Sequence, residues 1–198
     1  MPPMKAAASV APSSATTAAA AVAIEAGGAN RTMKRDPLEV VREAIGELDF
    51  IDSAQGAASV CASALMLALG ARAVFIHALD HRSKEIRIVA ANGPKADALV
   101  GKAALVEDDV IAAMVSVSGG STTMSVDPET GLPRRAPERL KAVGASRTVL
   151  AVPALMAKRV VAMIEIVDAK ESVATAVEPA AEYAARELAK FLDSRRKR

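Results

Sequence analysis

Aromatic residues are nearly missing from this chain. Phe50, Phe75, Phe191 and Tyr183 are the only ones in 198 residues, and there is no Trp. The core must therefore be aliphatic. Sequence-tolerant binding of single-stranded nucleic acid uses aromatic platforms worth about 1–3 kcal/mol per stacked base, and four scattered rings form no such row. A net charge of +2 is also too small to suggest general attraction to phosphates, so no nucleic-acid partner is expected. The one dense basic patch, Ser194 to Arg198 (SRRKR), reads as the solvated end of a helix whose C-terminal dipole favours cations.

Cysteine is almost as scarce. One residue, Cys61, excludes an internal disulfide and any multi-cysteine metal site. It lies among Ala, Val and Leu, where a small buried thiol is a packing residue. His77 and His81 are four apart, a zinc spacing on a helix, but the segment reads as a strand entering a turn. At ~3.3 Å per residue the rings would stand roughly 13 Å apart. Gly119, Gly120 and Ser121 lack the Lys-Ser/Thr ending of a phosphate loop. There is no Gly-x-Ser-x-Gly, and two histidines give a catalytic triad little to build on. No catalytic residue, metal or cofactor is expected.

Hydrophobic residues make up 52% and charged residues 24% of the chain, enough for one core with extensions. Residues 1–35, rich in Ala, Ser, Thr and Pro, carry too few large apolar side chains to offset the entropy of ordering, and a disordered tail is expected there. They imitate a secretory signal only weakly, so a cytoplasmic location is expected. The folded domain should span residues 36–192, with a basic tail at 193–198.

Asp36, Pro37 and Glu39 have the pattern of a helix start. Leu38, Val41, Ile45 and Leu48 then form a narrow apolar stripe. A second helix should start near Asp52 or Ser53 and end at Gly70. Being apolar nearly all round, it should be buried. Arg72 to Leu79 and Ile86 to Ala91 read as a hairpin. A short helix should end near Gly119, Ser121 to Val126 can form a brief strand, and Pro137 to Val143 a helical turn. Thr148 to Asp168 (TVLAVPALMAKRVVAMIEIVD) is long enough to cross a membrane, but Lys158, Arg159 and Glu165 suit hydrocarbon poorly. It reads as a second hairpin, with Pro153 at a strand end and no membrane span. Val177, Ala181, Ala184, Leu188 and Phe191 give a last helix a second narrow stripe. Together these elements indicate an α+β fold, a central antiparallel sheet with the N- and C-terminal helices on one face. Two stripes exceed what one sheet face needs. They predict a homodimer through Leu38, Val41, Ile45, Leu48, Ala184, Leu188 and Phe191.

The passages LALGARAVFIHALDHRSKEIRIVAANGP (67–94) and TVLAVPALMAKRVVAMIEIVDAKE (148–171) resemble the GAF domains, small-molecule sensor and signalling modules. Such domains often show a strand ending in Pro, a basic or Gly turn, and a strand ending in Val-Asn or Val-Asp. The resemblance covers roughly Phe50 to Phe191. It implies a pocket on the sheet face away from the terminal helices, roofed by a middle segment of short helix and loop, and it implies dimerisation through those helices. The Asn-Lys-Phe-Asp-Glu set of cyclic-nucleotide-binding members is missing. The middle loop lacks the bilin-attachment cysteine, and one cysteine is too few for methionine sulfoxide reduction. A non-catalytic regulatory domain is expected, sensing a small molecule or relaying a signal to a partner protein, with a ligand-free scaffold as the alternative.

Strand alternation sets Ile164 and Ile166 on one face of the last strand, with Met163 and Glu165 on the other. If the isoleucine faces meet the helices, Arg87 and Glu165 point into the implied pocket, joined by Met163 and His77. These four are the candidate ligand-binding residues. The plainer alternative for Arg87 and Glu165 is a half-solvated ion pair.

Overall fold

The computed structural model describes residues 35–46, 48–125 and 136–197. The expected tail at 1–35 lies, apart from Arg35, outside the described residues. Helix α1 (Pro37–Ile45) begins as its sequence indicates, with the Asp36 carboxylate accepting from the Leu38 backbone N–H at 3.0 Å. In α2 (Ala54–Leu69) the Ser53 hydroxyl accepts from the Gly56 N–H at 2.9 Å, and Gly70 stops the helix in the left-handed region at φ 55°. The expectation of a helix buried all round does not hold. Gln55, Ser59, Ser63 and Leu67 face solvent, Leu67 with 79% of its surface exposed.

Six strands form one antiparallel sheet: β1 (Ala73–Asp80), β2 (Glu85–Asn92), β3 (Ala103–Leu105), β4 (Thr122–Ser125), β5 (Thr148–Met156) and β6 (Arg159–Val167), in the order β3-β2-β1-β6-β5-β4. Both expected hairpins are present, and the apolar stretch at 148–168 is the β5–β6 hairpin. Pro153 lies inside β5 rather than at its end. It is tolerated because β4 covers β5 only from Thr148 to Ala151, so beyond that point β5 is an edge and a missing N–H costs no ladder bond. Strand β3 carries no sequence signal, since its three residues are small or exposed.

Helix α5 (Glu178–Arg196) follows a single wide turn, Val173–Val177. It runs four residues past the expected end, so the basic segment from 193 is largely its last turn. There Arg195 stacks over the Phe191 ring, 5.2 Å from its centroid, and donates to the Ile51 carbonyl. Helices α2 and α5 cover one sheet face. Alanines along their contact sides, among them Ala58, Ala62, Ala181 and Ala185, let them lie close to the sheet and to each other.

Helix α1 packs on α2 and α5. Val41, Ile45, Leu48, Ala184, Leu188 and Phe191 are thereby buried inside the single chain, and Leu38 is half-buried. The two stripes do meet, but as neighbours in one molecule. They are not surplus to the sheet face, because a third layer covers the helices that cover it. Six of the seven residues expected at a dimer interface thus belong to the core of the single chain.

The opposite sheet face carries a second core, roofed by α3 (Val110–Ser118) and α4 (Glu138–Val143). Ile111, Ala112 and Val115 of α3 and Leu140 and Val143 of α4 pack there with Phe75, Ile86, Ile88 and Met163. Both faces of the central strands are therefore buried in aliphatic side chains. The β1–β2 ladder is also irregular: Ile76 pairs with Ala90 and His77 with Ile88, leaving Val89 as an extra residue. Ile86 and Ile88 consequently face the roof and Arg87 the helix side, the reverse of the orientation read from the sequence.

Candidate functional site

Beneath the roof four polar side chains meet in a largely aliphatic surrounding. His77 and Glu165 come from adjacent strands. His77 pairs with Met163 and Phe75 with Glu165, so the two side chains are diagonal neighbours on one sheet face. Asp109 caps α3, its Oδ1 accepting from the Ile111 and Ala112 N–H groups, each at 3.1 Å. Arg139, near the start of α4, reaches between them. Its Nε and Nη2 donate to Glu165 Oε2 at 2.8 and 2.5 Å. Nη1 donates to Asp109 Oδ2, and Nη2 to Asp109 Oδ1 at 3.2 Å. All four residues are buried, Glu165 completely and His77 to within 1%.

The electrostatics follow from burial set against pairing. Burial alone would raise the Glu165 pKa, but the Arg139 guanidinium, helped by His77, holds the carboxyl down at about 2. Burial would likewise weaken the Arg139 charge, and Glu165 with Asp109 more than restores it, so its pKa is raised. His77 is lowered, first by burial and then by the Arg139 charge, with Glu165 offsetting only part. Its Nε2 lies 3.5 Å from Glu165 Oε2, close enough to count as an ion pair by distance. With its pKa lowered His77 is neutral at pH 7, so the contact is no ion pair but a long approach of an Nε2–H to the carboxylate, which is how His77 helps to hold the Glu165 pKa down. Among the described residues, His77 Nε2 and Glu165 Oε1 are buried without a hydrogen-bond partner.

A cavity of about 280 Å³ opens against this cluster. Its inner wall includes His77, Asp109 and Arg139, with Ile86, Ile88 and Leu99 beside them. Lys102, Asp108, Glu138 and Lys141 also line it and are exposed or half-exposed residues of its outer part. Glu165 lies behind His77, outside the lining. Met163 is fully buried on the same sheet face, in the roof-side core. A second cavity, of about 340 Å³, lies on the helix side between α2, α5 and the β1–β2 strands.

The four candidate residues thus separate. His77, Met163 and Glu165 share the roof-side face, as strand alternation indicates. Arg87 does not join them: it lines the helix-side cavity, donating to the Gly101 carbonyl at 3.0 Å and lying 3.7 Å from Glu85. The partner of Glu165 is Arg139, which sequence reasoning missed together with Asp109. The run of carboxylates ahead of α3 is a helix-start signal that could have pointed to Asp109, but nothing local marks Arg139 among the basic residues around it. Cys61 is buried on the helix side, far from this chemistry in the layer order, with its thiol pushed up to about 12 by burial and, secondarily, by Glu187.

No family model matches the chain, and no curated protein matches it. Solved structures do. The GAF domain of a phosphoenolpyruvate-protein phosphotransferase from Coxiella burnetii superimposes with a TM-score of 0.70 at 18% identity, covering 84% of this chain and 98% of that one. The corresponding Acinetobacter domain gives 0.65 at 14%, covering 81% and 94%. A free methionine-R-sulfoxide reductase from Neisseria meningitidis, solved with its substrate, gives 0.63 at 17%, covering 81% and 90%. By these superpositions the antiparallel sheet and its helices have the GAF fold.

Proposed function

We propose that the chain is a non-catalytic regulatory domain that senses a small molecule in the roof-side cavity and relays its occupancy to a partner protein. The observation that carries this reading is the roof-side cavity itself, about 280 Å³ and walled by His77, Asp109 and Arg139 among aliphatic side chains. Small-molecule sites are concave, mainly apolar and furnished with a few convergent polar groups, a description that fits this cavity. The roof elements α3 and α4 each contribute one charged residue to the cluster, so a ligand pressing on it acts on both. Non-catalytic action is supported by the placement of the one thiol, buried with a raised pKa on the far side of the sheet.

Homodimerisation remains part of the proposal, but not through the stripe residues buried in the core. The outward faces of α1 and α5 carry Arg42, Glu43, Glu182, Arg186 and Lys190, which are exposed, so a dimer there would be polar and salt-sensitive. Light scattering at high micromolar concentration, at low and high salt, tests it.

One observation favours the ligand-free scaffold. Arg139 is fully engaged by carboxylates of its own chain, an arrangement that also serves as a structural clasp. Mass spectrometry of the natively purified protein, followed by thermal melting before and after mild extraction, separates the two. A retained small molecule whose removal lowers the Tm supports the sensor. A protein free of any such molecule, with a Tm unchanged by small-molecule probes, supports the scaffold.

A further inference from the structure

We infer that the helix-side cavity is a binding site for a single-chain aliphatic acid, its hydrocarbon held between the helices and the sheet and its carboxylate at Arg87. The site lies on the sheet face opposite the roof-side cavity and is independent of any ligand bound there.

The space comes from a taper in side-chain size. Along the helix-side face, successive cross-strand pairs of β1 and β6 are Val74 with Ile166, Ile76 with Ile164, and then Ala78 with Ala162. Helix α2 tapers toward the same end: Leu69 and Leu65 are core residues, whereas Ala58 and Ala54 line the cavity. Leu188 and Leu192 of α5 form a further wall. Where the alanines face one another the layers do not fill the gap between them, and a cavity of about 340 Å³ remains. Packed interiors hold few voids larger than a water molecule, so a space of this size is more than a packing defect. It matches the scale of small-molecule sites. Water finds few polar partners along such walls, and the wall atoms lack neighbours that a hydrocarbon chain would supply.

Polarity is confined to the mouth. Arg87 and Gln55 line it there, both exposed, together with Gly101. Arg87 Nη1 donates to the Gly101 carbonyl at 3.0 Å, which holds the guanidinium at the rim. Its Nη2 lies 3.7 Å from Glu85 Oε2, too far for a hydrogen bond. A guanidinium has five N–H donors and no acceptor, so Arg87 keeps donors in water at the edge of an apolar cleft. A carboxylate accepts two of them in parallel, whereas an ammonium meets a like charge. Among the described residues that line this cavity Arg87 is the charged one, and it sets the sign of the head group.

The test uses the full chain at pH 7 with hexanoate, heptanoate and octanoate, and with octylamine and octanol as controls for the head group, all below micelle-forming concentrations. Titrations are followed by the methyl resonances of Ile76, Val89, Leu188 and Leu192, with Ile86 and Leu99 reporting on the roof side. Octanoate should shift the helix-side methyls saturably and leave Ile86 and Leu99 still. Each methylene that still fits should tighten binding by about threefold. The acid should bind severalfold tighter than the amine or the alcohol, since a rim charge in water contributes modestly. Arg87→Gln, a change at an exposed position, should abolish the preference for the acid and leave octanol binding intact. Octylamine binding as tightly as octanoate, or an affinity indifferent to chain length, would overturn the assignment. So would shifts centred on Ile86 and Leu99, which would place the acid under the roof instead. Contacts in the free protein between the helix-side methyls and residues 1–34 would give the cavity to the chain's own N-terminal segment and overturn it too. Absence of binding by every probe at millimolar concentration would refute the site outright.

Discussion

Replacing Glu165 with Gln isolates the charge held in the buried cluster. In the folded protein the carboxyl is held at about 2 against an ordinary value of 4.5, a difference that corresponds to about 3 kcal/mol. A carboxyl whose folded pKa is depressed contributes stability that is complete above its unfolded value and is lost as pH falls through the folded one. The unaltered protein should therefore exceed Glu165→Gln by about 3 kcal/mol at pH 7, and the gap should shrink steadily below pH 4.5. Comparing the two proteins at each pH cancels the titration of the other carboxylates. Arg139→Met goes further, leaving Glu165 and Asp109 buried without their cation, and should cost about 3–5 kcal/mol. Its deficit should lessen as the pH falls, because Glu165 then gains from taking up a proton. Urea unfolding followed by circular dichroism at pH 7, 5, 4 and 3.5 measures all three. A gap below about 1 kcal/mol at pH 7, or one that stays constant from pH 5 to 3.5, would refute the account.

The remaining expectations concern single positions. His77 should titrate below its ordinary 6.5, first because of burial and then because of Arg139; stability is then lost as pH falls below 6.5, and His77→Gln should remove that part of the loss. A proton NMR titration with a midpoint at or above 6.5 would contradict this. Gly93→Ala should be destabilising by about 1–3 kcal/mol, since φ is +129° and an added Cβ would lie 2.8 Å from the Arg72 carbonyl oxygen and the Ala73 side chain; an unchanged Tm would show that the β2 exit relaxes freely. Cys61, with its thiol raised to about 12 by burial and the nearby Glu187, should react with a disulfide reagent only on unfolding, and rapid labelling of the native protein would place it elsewhere.

Much of the architecture was legible because its signals are local. Asp36, Ser53 and Asp109 each accept from backbone N–H groups at a helix start, and Gly70 and Gly119 end helices in the left-handed region. The Thr148 to Asp168 segment folds as a hairpin because β-branched runs flank a turn whose residues Ala157 and Lys158 take positive φ. What failed was the choice between two buried faces. Alternation groups Ile86 with Ile88 against Arg87, but it cannot say which group meets the helices when both sides of the sheet are aliphatic. The extra residue at Val89 settles the matter, and a bulge at an ordinary β-branched residue has no distinct sequence signature. The dimer expectation rested on a related ambiguity. A stripe at heptad-like spacing calls for a partner helix, and the pattern alone does not say whether that helix belongs to the same chain.

The site shows the same division at finer grain. A lone carboxylate between Ile164 and Ile166 demands a partner or water once alternation turns it into a packed face, and that demand was readable from six residues. The identity of the partner was not. Arg139 lies 26 positions away, on a two-turn helix whose own pattern is too short to fix which side faces inward, and Arg87 was equally charged and nearer to a recognisable strand. Burial separates them: Arg87 keeps much of its side chain in water beside Glu85, whereas Arg139 is 5% exposed and held by two carboxylates. An exposed pair of that kind is worth little. The buried one must be satisfied almost completely to be tolerated at all. Among the described residues Glu165 Oε1 and His77 Nε2 are left without a hydrogen-bond partner, and both are closed off from the cavity.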